Sequence, residues 1–263
     1  MKASKIFTVI LLFTGLFFQS KIVAQSTSHS FVHGGITRSY RLYVPATYNP
    51  ANPTPLVFNL HGYTSNAFQQ EVYSNMNAVA DTAGFIVCYP EGINAQWNSG
   101  FQPPYYGGVD DVSFISVLID SLAGGYNVDL ARVYSCGMSN GGFMSYRLAC
   151  ELGDRITAIA SVTGSMTTLQ LNNCQATRAI PVLEIHGTDD TTVPYNTNTL
   201  SIDIDSLVNY WRVSNGCMAA PIYDTLPDLV SEGSTVTTQR YTGCQDNVEV
   251  LHYKITNGGH TWA

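Results

Sequence analysis

A serine stands between glycines in the segment Y-S-C-G-M-S-N-G-G at residues 134–142. An apolar run precedes the segment and a helical pattern follows it, which is the context of the sharp strand-to-helix turn that presents a nucleophilic serine. A serine hydroxyl attacks a carbonyl carbon at neutral pH only when a neighbouring base removes its proton. Because glycine and serine also collect in ordinary loops, the segment alone does not distinguish a nucleophile at Ser139 from a plain loop.

The partners that such a serine needs are found after three other apolar runs. They are His61 after residues 56–60, Asp189 and Asp190 after residues 181–185, and His260 after residues 248–255. Ligands bind at the carboxyl ends of the strands in an open parallel sheet, so we expect these side chains to lie close to Ser139. The chain order Ser, Asp, His is that of the α/β-hydrolase catalytic residues.

We predict a catalytic triad in which Ser139 attacks, His260 acts as the base and an aspartate holds the imidazole in the correct tautomer. Asp189 and Asp190 are adjacent and compete for the third role. Asp190 is favoured because it stands at the tip of the turn, and adjacent residues point in different directions. The alternative for either residue is a turn-forming aspartate that accepts a hydrogen bond from its own backbone.

The oxyanion that forms on the attacked carbonyl requires two fixed hydrogen-bond donors. The backbone N–H of Asn140 is one candidate, because it follows the nucleophile at the start of a helix. The other is the backbone N–H of Tyr63, in the loop that His61 and Gly62 begin. A metal-binding role for His61 is disfavoured because no partner ligand lies at a useful spacing. We therefore predict neither a metal nor a cofactor.

The elements that must position these groups alternate along the chain, which predicts an α/β fold with a mostly parallel central sheet, helices on both faces and a single domain. Apolar runs predict strands at residues 40–45, 56–60, 85–89, 132–136, 156–162, 181–185 and 248–255. Three- and four-residue spacing predicts helices at residues 68–83, 111–123, 142–151 and 200–213. The alternating run at residues 40–45 predicts an antiparallel edge strand, and residues 94–108 and 224–235 are predicted loops.

The first 24 residues have the pattern of a secretory signal. Lys2 and Lys5 supply a basic start, residues 6–18 are apolar, and Ala24 is a small residue suited to cleavage. A membrane anchor is the alternative, but the apolar run is shorter than the roughly 20 residues that span a bilayer. We therefore predict a signal peptide at residues 1–24 and a catalytic domain at residues 25–263, in a protein secreted to the extracellular space or the periplasm.

Composition bears on partners and on the cysteines. The formal net charge is −7 and lysine and arginine form no cluster, which argues against a nucleic-acid or anionic-membrane partner. The six cysteines include no C-x-x-C pair, which argues against a structural metal site. Four of them lie near polar, loop-like sequence and two lie inside apolar runs. We predict the disulfides Cys150–Cys174 and Cys217–Cys244 and buried free thiols at Cys88 and Cys136.

Seven motifs extend over nearly all of the chain after residue 24. They are R-S-Y-R-L-Y-V-P (38–45), L-V-F-N-L-H-G (56–62), Y-P-E-G (89–92), V-D-D-V-S-F (109–114), C-G-M-S-N-G-G-F-M-S-Y (136–146), H-G-T-D-D-T-T-V-P-Y (186–195) and N-G-G-H-T-W (257–262). Together they resemble the secreted α/β-hydrolases of carbohydrate esterase family 1, which include feruloyl and acetylxylan esterases, and their polyhydroxybutyrate depolymerase relatives. The family pattern H-G-x-x-D-x-x-V-P-Y places its catalytic aspartate on Asp190.

The resemblance implies a serine esterase that acts on plant polysaccharide esters, of the feruloyl or acetylxylan type, through an acyl-enzyme intermediate. An extracellular polyhydroxybutyrate depolymerase is the alternative with the same chemistry. A non-catalytic polysaccharide-binding protein on the same fold is the alternative of another class. The presence of all three triad residues favours an enzyme, since a binding protein does not need them.

The resemblance also draws attention to aromatic residues near the predicted site. Trp262 follows His260 closely, and Trp97, Tyr105 and Tyr106 lie in the loop at residues 94–108. These rings either form a wall that contacts a feruloyl ring or a sugar, or only close the loop over the core.

Two further features of the motifs concern an acidic pair and the end of the sequence. Asp110 and Asp111 are interpreted as N-capping residues of the helix that follows. Family members usually continue past H-T-W with Pro-Gly, whereas this sequence stops at Ala263. That difference leaves open a missing terminal helix or attached module.

Overall fold

The computed structural model describes residues 24–196, 199 and 201–262, and in this part of the chain ten strands form one sheet. The strands are β1 (Gln25–His33), β2 (Ile36–Val44), β3 (Thr54–Leu60), β4 (Ile86–Pro90), β5 (Val128–Met138), β6 (Ala158–Val162), β7 (Val182–Gly187), β8 (Ile222–Thr225), β9 (Thr235–Tyr241) and β10 (Val250–Thr256). The helices are α1 (Ala67–Ser74), α2 (Met76–Ala83), α3 (Asp111–Gly125), α4 (Asn140–Glu151), α5 (Thr168–Asn173) and α6 (Ile204–Ser214).

The strands lie in the order β1-β2-β4-β3-β5-β6-β7-β10-β9-β8. The six strands from β4 to β10 in this order are mutually parallel, and two antiparallel strands extend the sheet on each side. The winding direction reverses between β3 and β5, so the connections that follow them leave a crevice at their carboxyl ends. The predicted α/β fold with a mostly parallel sheet is confirmed.

The core lies on both faces of the sheet because side chains alternate along each strand. Leu42 of β2 and Cys88 of β4 belong to a large apolar cluster that includes residues of α3, α4 and α6. Tyr43 and Tyr89, one residue further along the same strands, belong to a smaller cluster with residues of α1 and α2. Helices therefore cover both faces of the sheet, as predicted.

The prediction of an edge strand at residues 40–45 is wrong in its place in the sheet. These residues belong to β2, which pairs with β1 on one side and with β4 on the other. The edge strand on this side of the sheet is β1, whose polar and mostly exposed sequence shows no apolar run. The loop predicted at residues 224–235 also overlaps the end of β8 and the start of β9. All four residues of β8 are exposed, so this strand gave no apolar pattern in the sequence.

The helix predicted at residues 68–83 is interrupted at Asn75. This residue has a left-handed φ of 49°, which ends α1 and separates it from α2. Asparagine tolerates this conformation better than most residues, because its short side chain hydrogen-bonds locally. The prediction of one continuous helix is therefore corrected to two short ones.

The helix predicted at residues 200–213 begins later, at Ile204, and residue 200 lies outside the described residues. The Asp203 carboxylate accepts the backbone N–H of Ser206 and thereby caps α6 at this point. The short helix α5 was not predicted. It begins with a capping box between Thr167 and Gln170.

Both predicted disulfides are confirmed. Cys150 of α4 bonds to Cys174 at the end of α5, and Cys217 bonds to Cys244. The remaining two cysteines are buried free thiols, also as predicted, at Cys88 and Cys136.

The predicted signal peptide lies outside the described residues except for Ala24. The first strand, β1, begins at Gln25, directly after the predicted cleavage point. No helix within the described ranges combines the length and the apolar character that a membrane span needs.

Candidate active site

Ser139 occupies a sharp turn between β5 and α4. Its backbone has φ 52° and ψ −118°, a conformation that is uncommon for a residue with a side chain. Its N–H donates to the Val162 carbonyl of the neighbouring strand β6, and its own carbonyl accepts the first helical bond from Phe143. The turn is therefore held from both sides, and it leaves the Ser139 side chain at the edge of a cavity.

Glycine is required on both sides of this turn because its two arms pack against each other and against the backbone of β3: a Cβ atom on Gly137 would lie 2.6 Å from the Gly141 carbonyl oxygen. A Cβ atom on Gly137 would lie 2.8 Å from the Leu60 carbonyl oxygen, and a Cβ atom on Gly141 would lie 2.2 Å from the same atom. Any side chain at these positions would push the Ser139 turn away from β3. The G-x-S-x-G segment is thus a strand-to-helix turn and not a plain loop.

Asp190 and His260 are hydrogen-bonded at neighbouring strand ends. Asp190 follows β7 and His260 follows β10, and the two strands are parallel neighbours. His260 Nδ1 donates to Asp190 Oδ2 over 2.7 Å, while Asp190 Oδ1 accepts the backbone N–H groups of Thr192 and Val193 at 2.8 Å each. Because the proton of this imidazole lies on Nδ1, Nε2 is left able to accept a proton.

The Asp190 carboxyl is held as an anion in a buried position. Burial alone would raise its pKa, but the hydrogen bonds from His260 and from the two backbone N–H groups outweigh burial and lower the pKa. The neighbouring Asp189 is exposed, and its carboxylate accepts the Thr188 hydroxyl. Of the two adjacent aspartates, the structure therefore brings Asp190 to His260.

Ser139 and His260 are not hydrogen-bonded to each other in this structure. Within the described part of the chain, no hydrogen bond joins Ser139 Oγ to the His260 imidazole, and His260 does not line the cavity at Ser139. Contacts of this kind are often long in free enzymes and tighten when substrate binds.

The two predicted oxyanion donors face the same region as Ser139. Tyr63 and Asn140 both line the cavity, and neither backbone N–H meets an acceptor among the residues that the structure describes. Asn140 is the first residue of α4, where the helix leaves its N–H groups without internal partners. Tyr63 follows β3, the strand next to β5.

A chain of buried polar side chains behind Asp190 was missed by the sequence analysis. The Tyr146 hydroxyl donates to Glu184 Oε2 over 2.7 Å, and His186 Nδ1 donates to Glu184 Oε1 over 2.9 Å. His186 Nε2 donates to the Val193 carbonyl over 2.8 Å and lies 3.5 Å from Asp190 Oδ2. Glu184 and His186 are fully buried.

Both nitrogens of His186 face acceptors, an arrangement that favours the imidazolium form of the ring when Glu184 is a carboxylate. Burial raises the pKa of Glu184, and the hydrogen bond from His186 acts against that rise. Burial alone would lower the pKa of His186, but the hydrogen bond to Glu184 outweighs burial and raises the pKa. The signal that could have found this pair is a glutamate inside the apolar run of β7, two residues before a histidine.

A cavity of about 680 Å³ opens at Ser139. Its walls come mainly from residues 94–108, hereafter the cavity loop, with contributions from α4 and from the segment after Asp190. The apolar part of the wall consists of Ile93, Trp97, Phe101, Pro103, Pro104, Val109, Phe143 and Val193. The volume and the apolar lining are typical of a small-molecule site.

The four aromatic residues predicted near the site have different positions. Trp97 lines the cavity, although only 3% of its surface is exposed. Tyr105 is buried against the Arg147 guanidinium, whose carbon lies 4.5 Å from the ring centroid, and Tyr106 is exposed. The backbone N–H of Trp262 donates to the Tyr73 hydroxyl over 3.0 Å. Tyr105, Tyr106 and Trp262 do not line this cavity.

The two aspartates at the start of α3 have separate roles. Asp110 caps the helix, as predicted, by accepting the backbone N–H of Ser113 over 2.9 Å. Asp111 is buried and instead pairs with Arg38 Nη2 over 2.6 Å and accepts the backbone N–H of Asn98 over 2.7 Å. The N-capping interpretation is therefore wrong for Asp111, which fastens the cavity loop to β2.

No group of three or more histidine, cysteine, aspartate or glutamate side chains in the described residues is arranged to hold a metal ion.

Comparison with known proteins identifies the family and the fold of the chain. The sequence model of the family described as Esterase PHB depolymerase matches residues 38–207. The putative esterase NocK of Nocardia uniformis subsp. tsuyamanensis is 30% identical over 259 residues, which cover 91% of this chain and 74% of that protein. Feruloyl esterase C of Emericella nidulans is 28% identical over 233 residues, which cover 86% of this chain and 77% of that protein.

Other relatives are much longer, since this chain spans 31% and 41% of the length of two that are 27% identical to it. Among solved structures, the acetyl xylan esterase from Aspergillus awamori superposes with a TM-score of 0.66 over 89% of this chain and 94% of that one, at 15% identity. At that identity the likeness is one of fold, and the fold is that of the α/β-hydrolases.

Proposed function

Since the chain belongs to the Esterase PHB depolymerase family, we propose that it is a secreted serine carboxylic-ester hydrolase that forms an acyl-enzyme on Ser139. The observation that carries this proposal is the backbone of Ser139, a residue with a side chain held at φ 52° where the cavity opens. Strain of this kind persists only where the surrounding structure enforces it, and it is concentrated at functional sites.

In the first half of the reaction, Ser139 Oγ attacks the carbonyl carbon of the ester while His260 Nε2 takes the hydroxyl proton. Asp190 holds the Nδ1–H of the same ring and stabilises the imidazolium that forms. The carbonyl oxygen becomes an oxyanion, which accepts hydrogen bonds from the backbone N–H groups of Tyr63 and Asn140. When the intermediate collapses, His260 returns its proton to the departing alkoxide, which leaves as an alcohol.

In the second half, a water molecule replaces the alcohol. His260 removes a proton from the water, the resulting hydroxide attacks the acyl carbon, and the same two N–H groups hold the second oxyanion. Collapse breaks the bond to Ser139 Oγ, which recovers its proton from His260. The products are a carboxylic acid and the free enzyme, and no cofactor takes part.

The mechanism requires His260 Nε2 to come within hydrogen-bond distance of Ser139 Oγ. The hydrogen bond to Asp190 already sets the tautomer that this step needs. The ring must therefore approach the serine when substrate binds, and tightening of this kind on substrate binding is common.

For the substrate, we propose esters of plant polysaccharides, either feruloyl or acetyl. Relatives named as feruloyl and acetylxylan esterases support this choice. The apolar cavity at Ser139 would accept an aromatic acyl group, with Trp97 as one of its walls. Tyr105, Tyr106 and Trp262 are left out of the proposed acyl contacts, because they lie outside the cavity.

A polyhydroxybutyrate depolymerase is the second candidate, and the description of the matching family favours it. It would use the same triad and the same oxyanion donors, so only the ester differs. Parallel assays on feruloylated arabinoxylan, acetylated xylan and a polyhydroxybutyrate film distinguish the candidates by the product released.

Export also belongs to the proposal, with residues 1–24 as the signal peptide and the catalytic domain from residue 25. Two disulfides support it, because such bonds form and persist in oxidising compartments. Sequencing the N-terminus of the protein from culture medium tests it, and a mature protein that begins at Gln25 is expected.

The enzymatic proposal is tested by hydrolysis of 4-nitrophenyl acetate and methyl ferulate by the wild type and by Ser139→Ala. We expect the substitution to lower kcat by at least about 10⁴-fold, because the attacking group is removed. Ser135→Ala is the matched control, since this buried serine lies in β5, just before the Ser139 turn, and its hydroxyl bonds only the Ser145 hydroxyl among the described residues. Equal rates for the wild type and Ser139→Ala would contradict the proposal and favour a non-catalytic binding protein.

A further inference from the structure

We propose that Trp97 is a positioning residue, which sets the separation of the two backbone N–H groups that hold the oxyanion. The inference rests on the proposed function and goes beyond it, since it assigns a role in transition-state binding to the cavity loop. Trp97 contacts the segment of each donor: the side chain of Asn140 on one side and the carbonyl of His61 on the other.

The contact with Asn140 fixes the donor that follows the nucleophile. The Trp97 backbone N–H donates to Asn140 Oδ1 over 2.6 Å, and Asn140 Nδ2 donates to the Trp97 carbonyl over 3.3 Å and to Ser99 Oγ over 2.7 Å. The Asn140 side chain is thus fully bonded to the cavity loop, while its backbone N–H has no acceptor among the described residues. The first turn of α4 and the cavity loop are joined as one unit.

The contact with His61 fixes the second donor. Trp97 Nε1 donates to the His61 carbonyl over 2.9 Å, two residues before Tyr63. The His61 ring lies 5.0 Å from the Trp97 ring, centroid to centroid, and both residues are buried. The indole therefore sets the position of the backbone that enters the Tyr63 turn.

His61 makes this attachment rigid. The Gly62 carbonyl can only accept and the Gly92 N–H can only donate, so Nδ1 carries the proton towards Gly62 and Nε2 accepts from Gly92. Burial lowers the pKa of His61, although the bond to Gly62 acts in the opposite direction, so the ring remains neutral in this role. The Thr64 N–H also donates to the Ala95 carbonyl of the cavity loop.

The two segments that carry the oxyanion donors are not hydrogen-bonded to each other directly. In the described part of the chain, no hydrogen bond joins residues 61–64 to residues 139–141, whereas Trp97 bonds to both. Oxyanion stabilisation requires donors that are placed before the reaction starts, and a small misplacement of a reacting or stabilising group costs rate and not only affinity. Loss of the Trp97 bridge should therefore appear in kcat.

The experiment compares Trp97→Phe with the wild type, using 4-nitrophenyl acetate because its acyl group is too small to need the cavity wall. Phenylalanine keeps an aromatic ring but removes the N–H that bonds the His61 carbonyl. We expect kcat to fall by about 10- to 100-fold, less than for outright loss of a donor, with KM changed by less than about threefold. The inhibition constant of a trifluoromethyl ketone, which forms a tetrahedral adduct, should rise by the same factor as kcat falls.

Trp211→Phe is the matched control. Trp211 is fully buried in α6, and its Nε1 has no hydrogen-bond partner among the residues that the structure describes, so the same substitution removes no such bond there. Its kcat and its inhibition constant should equal those of the wild type. If Trp97→Phe fails to fold, Asn140→Ala replaces it, because this change cuts the other end of the bridge and keeps the backbone N–H.

The outcomes separate this inference from the proposed function. A fall in kcat for Trp97→Phe or Asn140→Ala with a matching loss of ketone affinity supports the bridge. Wild-type kcat in the folded variant, or a change in KM alone, overturns the bridge while leaving the esterase mechanism intact. Absence of hydrolysis by the wild type overturns both.

Discussion

Gly187 and Gly258 pack so closely that a Cβ atom on Gly187 would lie 2.1 Å from the Gly258 carbonyl oxygen. Gly187 ends β7, and Gly258 belongs to the turn that carries His260. The Asp189 N–H also donates to the Gly258 carbonyl over 2.9 Å. This close approach brings the loop that follows β10 against the loop that follows β7, and it makes the bond between Asp190 and His260 sterically feasible.

Gly187→Ala should therefore separate the two loops. The added methyl group would displace Gly258 and with it the His260 ring, and we expect esterase activity to fall by about 100-fold or more. Gly259→Ala is the control, because a Cβ atom there would meet nothing within 4 Å. Steady-state kinetics of both variants checks the prediction, which fails if the two lose activity equally.

Asp190→Asn should remove most of the activity without unfolding the protein. An amide can donate to His260 Nδ1 and so favour the wrong tautomer, and the expected loss in kcat is about 10⁴-fold. Asp189→Asn changes an exposed carboxylate that is not bonded to the ring, and its activity should match that of the wild type. The reverse order of the two effects would move the triad aspartate to Asp189.

Glu184→Gln should destabilise the protein through His186. The substitution keeps the shape of the side chain but removes the carboxylate that faces His186 Nδ1 and leaves only Asp190, 3.5 Å from Nε2, as an anionic neighbour of the ring. We expect the broken buried pair to lower the free energy of unfolding by about 3 kcal/mol. Tyr146→Phe removes one hydrogen bond from the same carboxylate and should cost about 1 kcal/mol. Urea denaturation at neutral pH measures both, and equal stability of Glu184→Gln and the wild type would contradict an ion pair at this position.

His252 should contribute to acid destabilisation. It is buried in β10, its Nε2 has no hydrogen-bond partner in the described residues, and burial lowers its pKa to about 4. Between pH 6.5, about the pKa of His252 in the unfolded chain, and about pH 4, its pKa in the native state, only the unfolded chain binds a proton on this ring. The stability of the native state therefore falls as the pH falls through this window. The loss across this window is about 3 kcal/mol.

His252→Leu replaces the ring by an apolar side chain of similar size and removes this titration. Denaturation at pH 7 and pH 4 should show a smaller drop in stability for the variant than for the wild type, by about the same 3 kcal/mol. An unchanged drop would show that His252 is not neutral in the native state.

The sequence predicts that Asp190 and His260 lie close together because each follows a buried parallel strand. The carboxyl ends of such strands meet at one edge of the sheet, so residues far apart in the chain become neighbours. The hydrogen bond between these two side chains is the direct expression of that rule. The disulfides were predicted on a different basis, because all four bonded cysteines lie near loop-like sequence.

The strands at the sheet edges could not be recognised by hydrophobicity. β1 and β8 are mostly exposed and need no apolar face, so they carry no apolar run. A local signal for β1 was nevertheless present, since Gly34 and Gly35 both adopt positive φ in a two-residue hairpin turn. Adjacent glycines between two candidate strands are a hairpin signal in their own right.

The supporting residues of the site depend on tertiary contacts that no local pattern reveals. Glu184 interrupts an apolar run, and only the fold shows that His186 is its hydrogen-bond partner. Trp97 stands in an irregular loop, where its type suggested contact with substrate. Its bonds to His61 and Asn140, which are distant in the chain, show a second use that spacing alone does not predict.

The most direct test of the account is to find which residue a fluorophosphonate modifies. We predict one phosphonyl group on Ser139 in the wild type, located by tandem mass spectrometry, and none on Ser139→Ala, with ester hydrolysis lost in parallel. An unlabelled wild type that is folded, or a label on any residue other than Ser139, would contradict the central claim.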